Sequence, residues 1–597
     1  IDKELVFKDR VRKFDFSLIK AGKDYNEKLF NGQIDILSFD HKAYKTTYGI
    51  QNLTVLALSI IALFILFALK KKIILFFKYF FKDFYLQTKY ALNILFQNIK
   101  LLPSWQFYIC AAVVFLYALP IILADVPFSD DYGRIIGGWA WNHDSRFLTE
   151  IIYKIISFNL NMVNVAPLSL IVGMSFLLIS SYMLFWKWAG KHSAAVSLST
   201  LSLILSPIIL FTLISYQIDA VGIAFSFVFA LGIFLIPDSS NVKFKFFSAF
   251  ILTFCVMLTH QSSIAVVAIL MFTEFIIVIN KQNDDYKKAL NLFLIRAASS
   301  VSSLFVWYIT VGRFSRYDTI LNESAFIFAI IERTKTFAQH FVLSYFYGRT
   351  VLFIFCILFA CFVFICFKIV LKLLREKLIL NKISAILVAF IPFALLFLGI
   401  IGANITTNFK LYIGNTMFLS FSPFIACMAF ITIDYYRGYM KKIIVLLSIA
   451  PLLYSFSLSY AYAKYLTYSY ETNQIIVSSL LSNIQTDKQI VILSKTTNKD
   501  TQRTRQILKA FPIINRLKGL LNLEQTQNPF HLEVKLNFFG LNCAAYDSSK
   551  QDHISLLNDA KNNYDKIQLI SRHYYYNLWQ YKNLYIIDFA KDEKLSL

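Results

Sequence analysis

The stretch Ser129–Arg146, SDDYGRIIGGWAWNHDSR, follows directly on an apolar run and gathers the residue types in this chain best suited to chemistry. Asp130 and Asp131 stand side by side just past Phe107–Ala124, a segment long enough to cross a bilayer. Adjacent carboxylates raise one another's pKa, because ionising both concentrates negative charge. Such a carboxylate at a membrane surface suits a general base facing a lipid-borne substrate. The plain alternative is that any loop leaving a membrane is polar.

The elements that must position these residues follow from composition. Of 597 residues, 57% are hydrophobic and only 16% charged, where a soluble domain has about one-quarter charged. Apolar runs lie near 52–69, 107–124, 166–186, 193–213, 217–236, 245–260, 262–280, 290–311, 350–368, 383–401, 415–433 and 442–460. Their lengths match a bilayer's hydrocarbon core, so the chain reads as an all-α polytopic membrane protein of about twelve transmembrane helices. The sixth and seventh runs are nearly continuous through Thr259–Ser263 and could instead form one broken or re-entrant hairpin. The net charge of +23 sits largely in short loops between apolar runs, as the positive-inside bias predicts, and no nucleic-acid partner is expected. Six of the seven cysteines fall in apolar segments and only Cys543 in a polar one, so neither a disulfide framework nor zinc-ligand spacing is present.

Lysine and arginine set the orientation. One set of loops holds Lys70, Lys71, Lys72, Lys78, Lys82 and Lys89, then Lys187 and Lys191, Lys243 and Lys245, Lys281, Lys287 and Lys288. It ends with Lys368–Lys377 and Arg437–Lys442, and is expected to be cytoplasmic. The opposite set holds Asp130–Arg146, Tyr216–Asp219, His260–Ser263, Arg313–Arg349 and Asn404–Lys410, so the polar clusters share the non-cytoplasmic side. The same alternation puts residues 461–597 outside. This polar tail combines a helical stretch, Tyr462–Asn483, with strand-like runs Gln489–Leu493 and Leu584–Asp588, and reads as a soluble α/β domain of accessory or assembly character. Residues 1–104 read as an N-terminal extension with one span and a basic amphipathic helix, Ile73–Lys100, on the cytoplasmic surface; 105–460 read as the catalytic membrane domain.

Arg146–Phe158 has apolar positions 147, 148, 151, 152, 155 and 156, the spacing of a helix lying in the interface with Glu150 and Lys154 towards water. A transmembrane helix, an acidic pair, an interfacial helix and a second transmembrane helix together resemble the GT-C membrane glycosyltransferases. Within that class the chain resembles the GtrII-type glucosyltransferases that decorate bacterial O-antigens. The signature reads Asp130-Asp131-Tyr132-Gly133-Arg134, Gly138, Trp141 and Arg146. Ser215–Ala220 and His260-Gln261-Ser262, each opening a helix, carry the resemblance further, over roughly residues 105–590. Two departures stand out: Ser145 where the family's glycine precedes the helix-opening arginine, and Lys410 where an arginine is expected.

The resemblance implies an inverting transfer of a sugar, glucose in the first place, from a polyprenyl-phosphate donor to a lipid-linked or surface polysaccharide, at the periplasmic face of a bacterial inner membrane. One carboxylate deprotonates the acceptor hydroxyl while cations and donors stabilise the leaving phosphate. Asp130 or Asp131 would be the base and the other would orient the acceptor. Arg134 and Arg146 would position the carboxylates or the phosphate, or serve as structural ion pairs. Gln217 and Asp219 open a helix where a carboxylate could hold sugar hydroxyls or cap that helix. His260 and Gln261 interrupt an apolar run, which is costly unless they line a polar cavity. Arg313, Arg316, Arg349 and Lys410 are basic groups against the positive-inside bias, which fits an anionic headgroup, so one or two would bind the lipid phosphate. Trp139, Trp141, Tyr216 and Tyr347 could stack on sugar rings or belong to interfacial aromatic belts. No His/Asp/Glu cluster has metal spacing, and neither a metal nor another cofactor is expected.

Other readings are an arabinose- or mannose-type transferase of the same superfamily, a scaffold whose outer domain recruits enzymes, and a polysaccharide transporter or flippase. A transporter would place polar groups at mid-membrane and often carry an internal repeat; here they gather on one outer face and no repeat is visible.

Overall fold

The computed structural model describes residues 70–128, 130–137, 144–161, 163–281, 286–311, 349–375, 379–402, 419–484, 490–493, 502–515 and 529–589, with isolated positions between them that include Trp141 and 521–523. The chain forms two compact units, 1–89 and 90–597. The described part of the first is the beginning of α1 (Lys70–Leu101), which covers the expected amphipathic helix and leaves Tyr79, Phe81, Tyr85 and Leu86 exposed. The expected span 52–69 lies outside the described residues.

The second unit carries α2 (Trp105–Ala124), two short helices α3 (Asp130–Gly137) and α4 (Phe147–Ser157), and then α5 (Leu168–Ala189), α6 (Ala194–Ile204) and α7 (Ala220–Leu235). There follow α8 (Val242–Thr259), α9 (Ile264–Lys281), α10 (Tyr286–Thr310), α11 (Arg349–Arg375), α12 (Ile379–Ile401), α13 (Phe421–Tyr435) and α14 (Gly438–Leu481). Among the described residues nine helices are long and apolar enough to cross a membrane, while α7 and α13 are apolar but shorter. The expectation of about twelve spans is met to that extent. The run 217–236 yields a shorter helix because its opening residues Gln217–Asp219 leave the helix for polar contacts, and α13 begins only at Phe421.

Local chemistry sets the helix ends that matter. Ser104 caps α2 by accepting from the Phe107 amide at 3.2 Å, and Asp125 closes it in the left-handed region, its amide donating to the Ile121 carbonyl. After α6, Ser206 and Pro207 restart the chain into a wide turn in which the Ser215 amide reaches back to the Leu210 carbonyl at 2.9 Å. Small residues let the helices approach: a Cβ on Gly173 would lie 2.9 Å from Ala224 Cβ, and one on Gly222 would lie 2.4 Å from Thr149 Cγ2.

Charges separate by helix end. At one end Lys187 donates to the Phe234 and Ile236 carbonyls and pairs with Asp238 at 3.1 Å, and Lys281 pairs with Asp434 at 2.9 Å. The buried pair Glu274–Arg296, at 2.6 Å, sits towards the same end, Arg296 also donating to Ile233 in the last turn of α7. Arg134, Trp141 and Arg146 gather at the opposite ends of these helices, beside Asp219 and Gln261.

Helix α14 runs unbroken through residue 461, and its last turns join the C-terminal sheet. The sheet has the order β2 (Ala544–Ala545), β1 (Ile490–Leu493), β5 (Leu584–Asp588), β4 (Asn577–Tyr581), β3 (Gln568–Arg572). The expected strand runs are thus β1 and β5, parallel neighbours in register from Ile490↔Leu584. Ile476, Val477 and Leu480 of α14 share a core with Val491, Tyr585 and Ile587, and with Leu532 and Leu536 of α15 (Pro529–Phe538). Ile513, Ile514 and Leu517 are buried in the same core as the membrane helices.

Candidate active site

The site begins where α2 ends. Val126 and Phe128 bury their side chains, Phe128 edge-on to Tyr216 at 4.7 Å between ring centres, and the Asp131 amide donates to the Phe128 carbonyl at 3.0 Å. That anchored turn starts α3 on its acidic pair, where unpaired backbone N–H groups favour negative charge.

The two carboxylates differ. Asp131 is 1% exposed, and neither of its oxygens has a hydrogen-bond partner by strict geometry among the described residues. Burial pushes its pKa well above the ordinary carboxylate range, Asp219 and Asp130 push it further, and Arg134 and the Ile218 backbone oppose them. Asp130 is half-buried. Burial and then Asp219 raise its pKa, opposed by Arg134, His531 and Arg146.

Around it the polar residues expected from sequence come together in a specific way. Arg134 Nε lies 2.6 Å from Asp219 Oδ1 and its Nη2 donates to Oδ2 at 3.1 Å. Trp141 Nε1 donates to Asp219 Oδ1 at 2.6 Å, and the Arg134 guanidinium lies 4.4 Å from the centre of the Trp141 ring. The Trp141 ring is fully buried with Tyr153, Ile218 and Val221. Asp219 makes no side-chain cap to α7. Arg134, Trp141 and Asp219 therefore form one clamp joining α3, the following loop and the start of α7.

A second bracket fixes the interfacial helix. Ser145 has φ +60°, the left-handed region that favours glycine, which gives the family's glycine at this position a physical reason. Arg146 then opens α4, its amide donating to the Trp141 carbonyl and its Nε to Gln261 Oε1 at 3.4 Å. Gln261 Nε2 donates to the Asp144 carbonyl at 2.9 Å, and Thr149 Oγ1 to the Thr259 carbonyl at 2.9 Å. On α4 the inward residues are Thr149 and Tyr153; Phe147, Ile151 and Ile155 face outward with Phe158 and Leu160, and Glu150 and Lys154 pair at 2.6 Å, partly buried rather than open to water.

His260 sits at the break between α8 and the 3₁₀ turn that leads into α9. It is 1% exposed, and neither ring nitrogen has a hydrogen-bond partner among the described residues. Gln217 is buried too; its Nε2 reaches the Ile121 carbonyl at 3.5 Å, and its own carbonyl accepts from Ser169. Tyr216 packs on Phe128. Arg313, Arg316, Lys410, Trp139, Gly138 and Tyr347 lie outside the described residues, and Arg349 enters only as the first residue of α11. Among the described residues no group of three or more His, Cys, Asp or Glu side chains is arranged to hold a metal ion.

Sequence reasoning set residues 461–597 apart as an accessory domain and missed what α15 brings. This helix packs on α3: Phe538 meets Tyr132 edge-on at 4.8 Å, and Phe539 meets Tyr470 of α14 at 5.2 Å. His531 and Lys535 lie on the stripe that leads to Phe538, with His531 in electrostatic reach of Asp130. The available signal was the i, i+4 spacing of His531 and Lys535 in a polar segment, which marks a basic helix face but not its neighbour.

Residues 119–409 match the model of a family described as Glucosyl transferase GtrII, which bears out the resemblance read from the Asp130–Arg146 signature. An uncharacterized 55.3 kDa protein in the gtrB 5′ region of Salmonella phage P22 is 26% identical over 203 residues, 33% of this chain and 40% of that protein, so the matched stretch spans less than half of the relative. No solved structure matches.

Proposed function

We propose that the chain is a membrane glycosyltransferase of GT-C type that moves a hexose, glucose in the first place, from a polyprenyl-phosphate carrier to a lipid-linked or surface polysaccharide of O-antigen kind. The transfer takes place at the periplasmic face of a bacterial inner membrane. The observation that carries this reading is the acidic pair: Asp130 and Asp131 are desolvated beside a clamped cation, within the segment that matches the glucosyltransferase family. A desolvated carboxylate is a stronger base than a solvated one. Asp130, the more accessible, takes the proton of the acceptor hydroxyl. The hydroxyl oxygen then bonds to the sugar's C1 from the face opposite the phosphate, and the C1–O bond breaks with its electron pair staying on the phosphate, so the anomeric configuration inverts.

Asp131, the more deeply buried, keeps its proton longer and orients the acceptor. Arg134, Trp141 and Asp219 act on substrate through the shape of α3, since their polar atoms engage one another. Arg146, Gln261, His260, Gln217 and Tyr216 line the route for donor and acceptor, and one or two of Arg313, Arg316, Arg349 and Lys410 hold the lipid phosphate. The periplasmic orientation is supported by the clustering of Lys187 and Lys281 at the opposite helix ends. A transporter calls for a midplane site, whereas Asp219, His260 and Asp130 all stand at helix ends.

The test is mass spectrometry of surface polysaccharide from cells with the chain, without it, and with the Asp130→Asn/Asp131→Asn variant. A hexose increment that needs the chain and is lost in the inserted double variant supports the reading; identical glycan in all three overturns it.

A further inference from the structure

Helix α15 lies beyond the residues that match the family, yet it packs against the acidic helix α3. Its position is set by buried polar bonds as well as apolar contact. Asn473 of α14 donates to the Leu521 carbonyl at 2.8 Å and accepts from the Leu523 amide at 3.0 Å, and Tyr465 accepts from Asn522 at 3.1 Å. These fix the approach to α15, whose Lys535 is buried and donates to Thr526 Oγ1 at 3.0 Å. Phe538 and Phe539 then close on Tyr132 and Tyr470. His531, two turns before Phe538 on the same stripe of this α3-packed helix, is half-buried and within electrostatic reach of Asp130 at the start of α3.

We propose that His531 is the proton partner of Asp130, so that the C-terminal domain acts on the site through that carboxylate. This rests on the glycosyl-transfer reading. Asp130 receives the acceptor's hydroxyl proton; a neutral ring nitrogen of His531 takes that proton from the Asp130 carboxyl and passes it to water, which restores the carboxylate for the next turnover. The broken C1–O bond leaves its electron pair on the phosphate, so no other reactant is needed. His531 acts through Asp130 and is a positioning residue. The charged groups facing this pair are Asp131 and Arg134 of α3, Asp219 before α7, Arg146 at the start of α4, and Lys535 on His531's own helix. Burial disfavours a protonated His531 and Lys535 adds to this, while an ionised Asp130 favours it; the first effect wins, so the resting ring is neutral.

The test follows imidazole C2–H exchange of His531 against pH by mass spectrometry, in the full chain in detergent. Asp130→Asn is expected to move the His531 midpoint to lower pH, Asp130→Glu to leave it near the wild type, and Lys535→Gln to move it to higher pH. Should Asp130→Asn not fold, Asp130→Ser carries the same test, with the His531 midpoint again expected at lower pH. A midpoint unmoved by these changes overturns the proposal. With undecaprenyl-phosphate-linked glucose and O-antigen repeat as substrates, His531→Gln should lower kcat about tenfold with little change in KM and move the acid limb of the pH profile upward. A uniform loss at every pH would reduce His531 to packing. A shifted midpoint with no transfer by the wild-type chain leaves the pairing in place and removes the glycosyl-transfer reading.

Discussion

Arg134 and Asp219 form a two-pronged ion pair, at 2.6 and 3.1 Å, between the acidic helix α3 and the residue that precedes α7, with both side chains almost wholly removed from solvent. Trp141 closes it from a third side. Removing one member of such a pair leaves an uncompensated buried charge, which costs about 3–5 kcal/mol, whereas replacing both by apolar groups is often tolerated. Arg134→Met alone should therefore lower the thermal midpoint in detergent strongly, and Arg134→Met/Asp219→Leu should recover most of the loss. A double variant no more stable than the single would show that the pair is not the unit of stability.

Asp131 supplies a pH dependence with a definite sign. Its folded-state pKa is raised, so its contribution to stability is present below the ordinary carboxylate value and is lost as pH rises through the folded-state value. Asp131→Asn removes that ionisation. The stability gap in favour of the variant should widen from pH 4 upwards and level off above the raised pKa, as read from thermal midpoints across pH. A gap that narrows with pH would contradict the burial of an ionisable carboxyl here.

On the proposed role of Asp130 as base, its upward shift places the acid limb of transfer activity above the usual carboxylate range, because a base must be ionised to work. A pH–rate profile that stays flat down to pH 4 would exclude Asp130 as the base.

Ser145 adopts φ +60° at the turn before α4, a conformation that costs an L residue about 1 kcal/mol and glycine almost nothing. Ser145→Gly should raise stability by about 0.5–1 kcal/mol and leave transfer intact, while Ser145→Val should destabilise by more. Denaturation midpoints of the two variants decide it.

Gly222 is the point where α7 touches Thr149 of the interfacial helix; a Cβ there would stand 2.4 Å from Cγ2 and 2.7 Å from Oγ1 of Thr149. Gly222→Ala should cost about 1–3 kcal/mol, and adding Thr149→Ala should relieve part of it despite the lost bond to Thr259. Additive losses would mean that the two residues do not share the contact.

The membrane character, the α-helical body and the elements flanking the acidic pair were legible in the sequence, because apolar runs of bilayer length and lysine-rich loops are local signals. Asp130 and Asp131 were likewise singled out by type and position, and Arg134, Trp141, Arg146 and Asp219 by the resemblance to the GtrII-type family. Their partnerships were not. That Asp219 is held by Arg134 and Trp141 instead of capping α7, or that Gln261 bridges Arg146 and Asp144, depends on contacts between residues 78 to 117 positions apart. Likewise, the shortening of α7 at Ala220 follows from polar residues taken into the site, which periodicity cannot foresee. His531 is the clearest case. Nothing near it in the chain resembles a site, and its helix α15 meets α3 because α14 runs unbroken to the sheet and its Asn473 fixes the approach to α15. Composition and spacing determined which groups could do chemistry and which face would hold them; packing across some four hundred residues decided which of them meet, since burial and pairing are properties of neighbours in space.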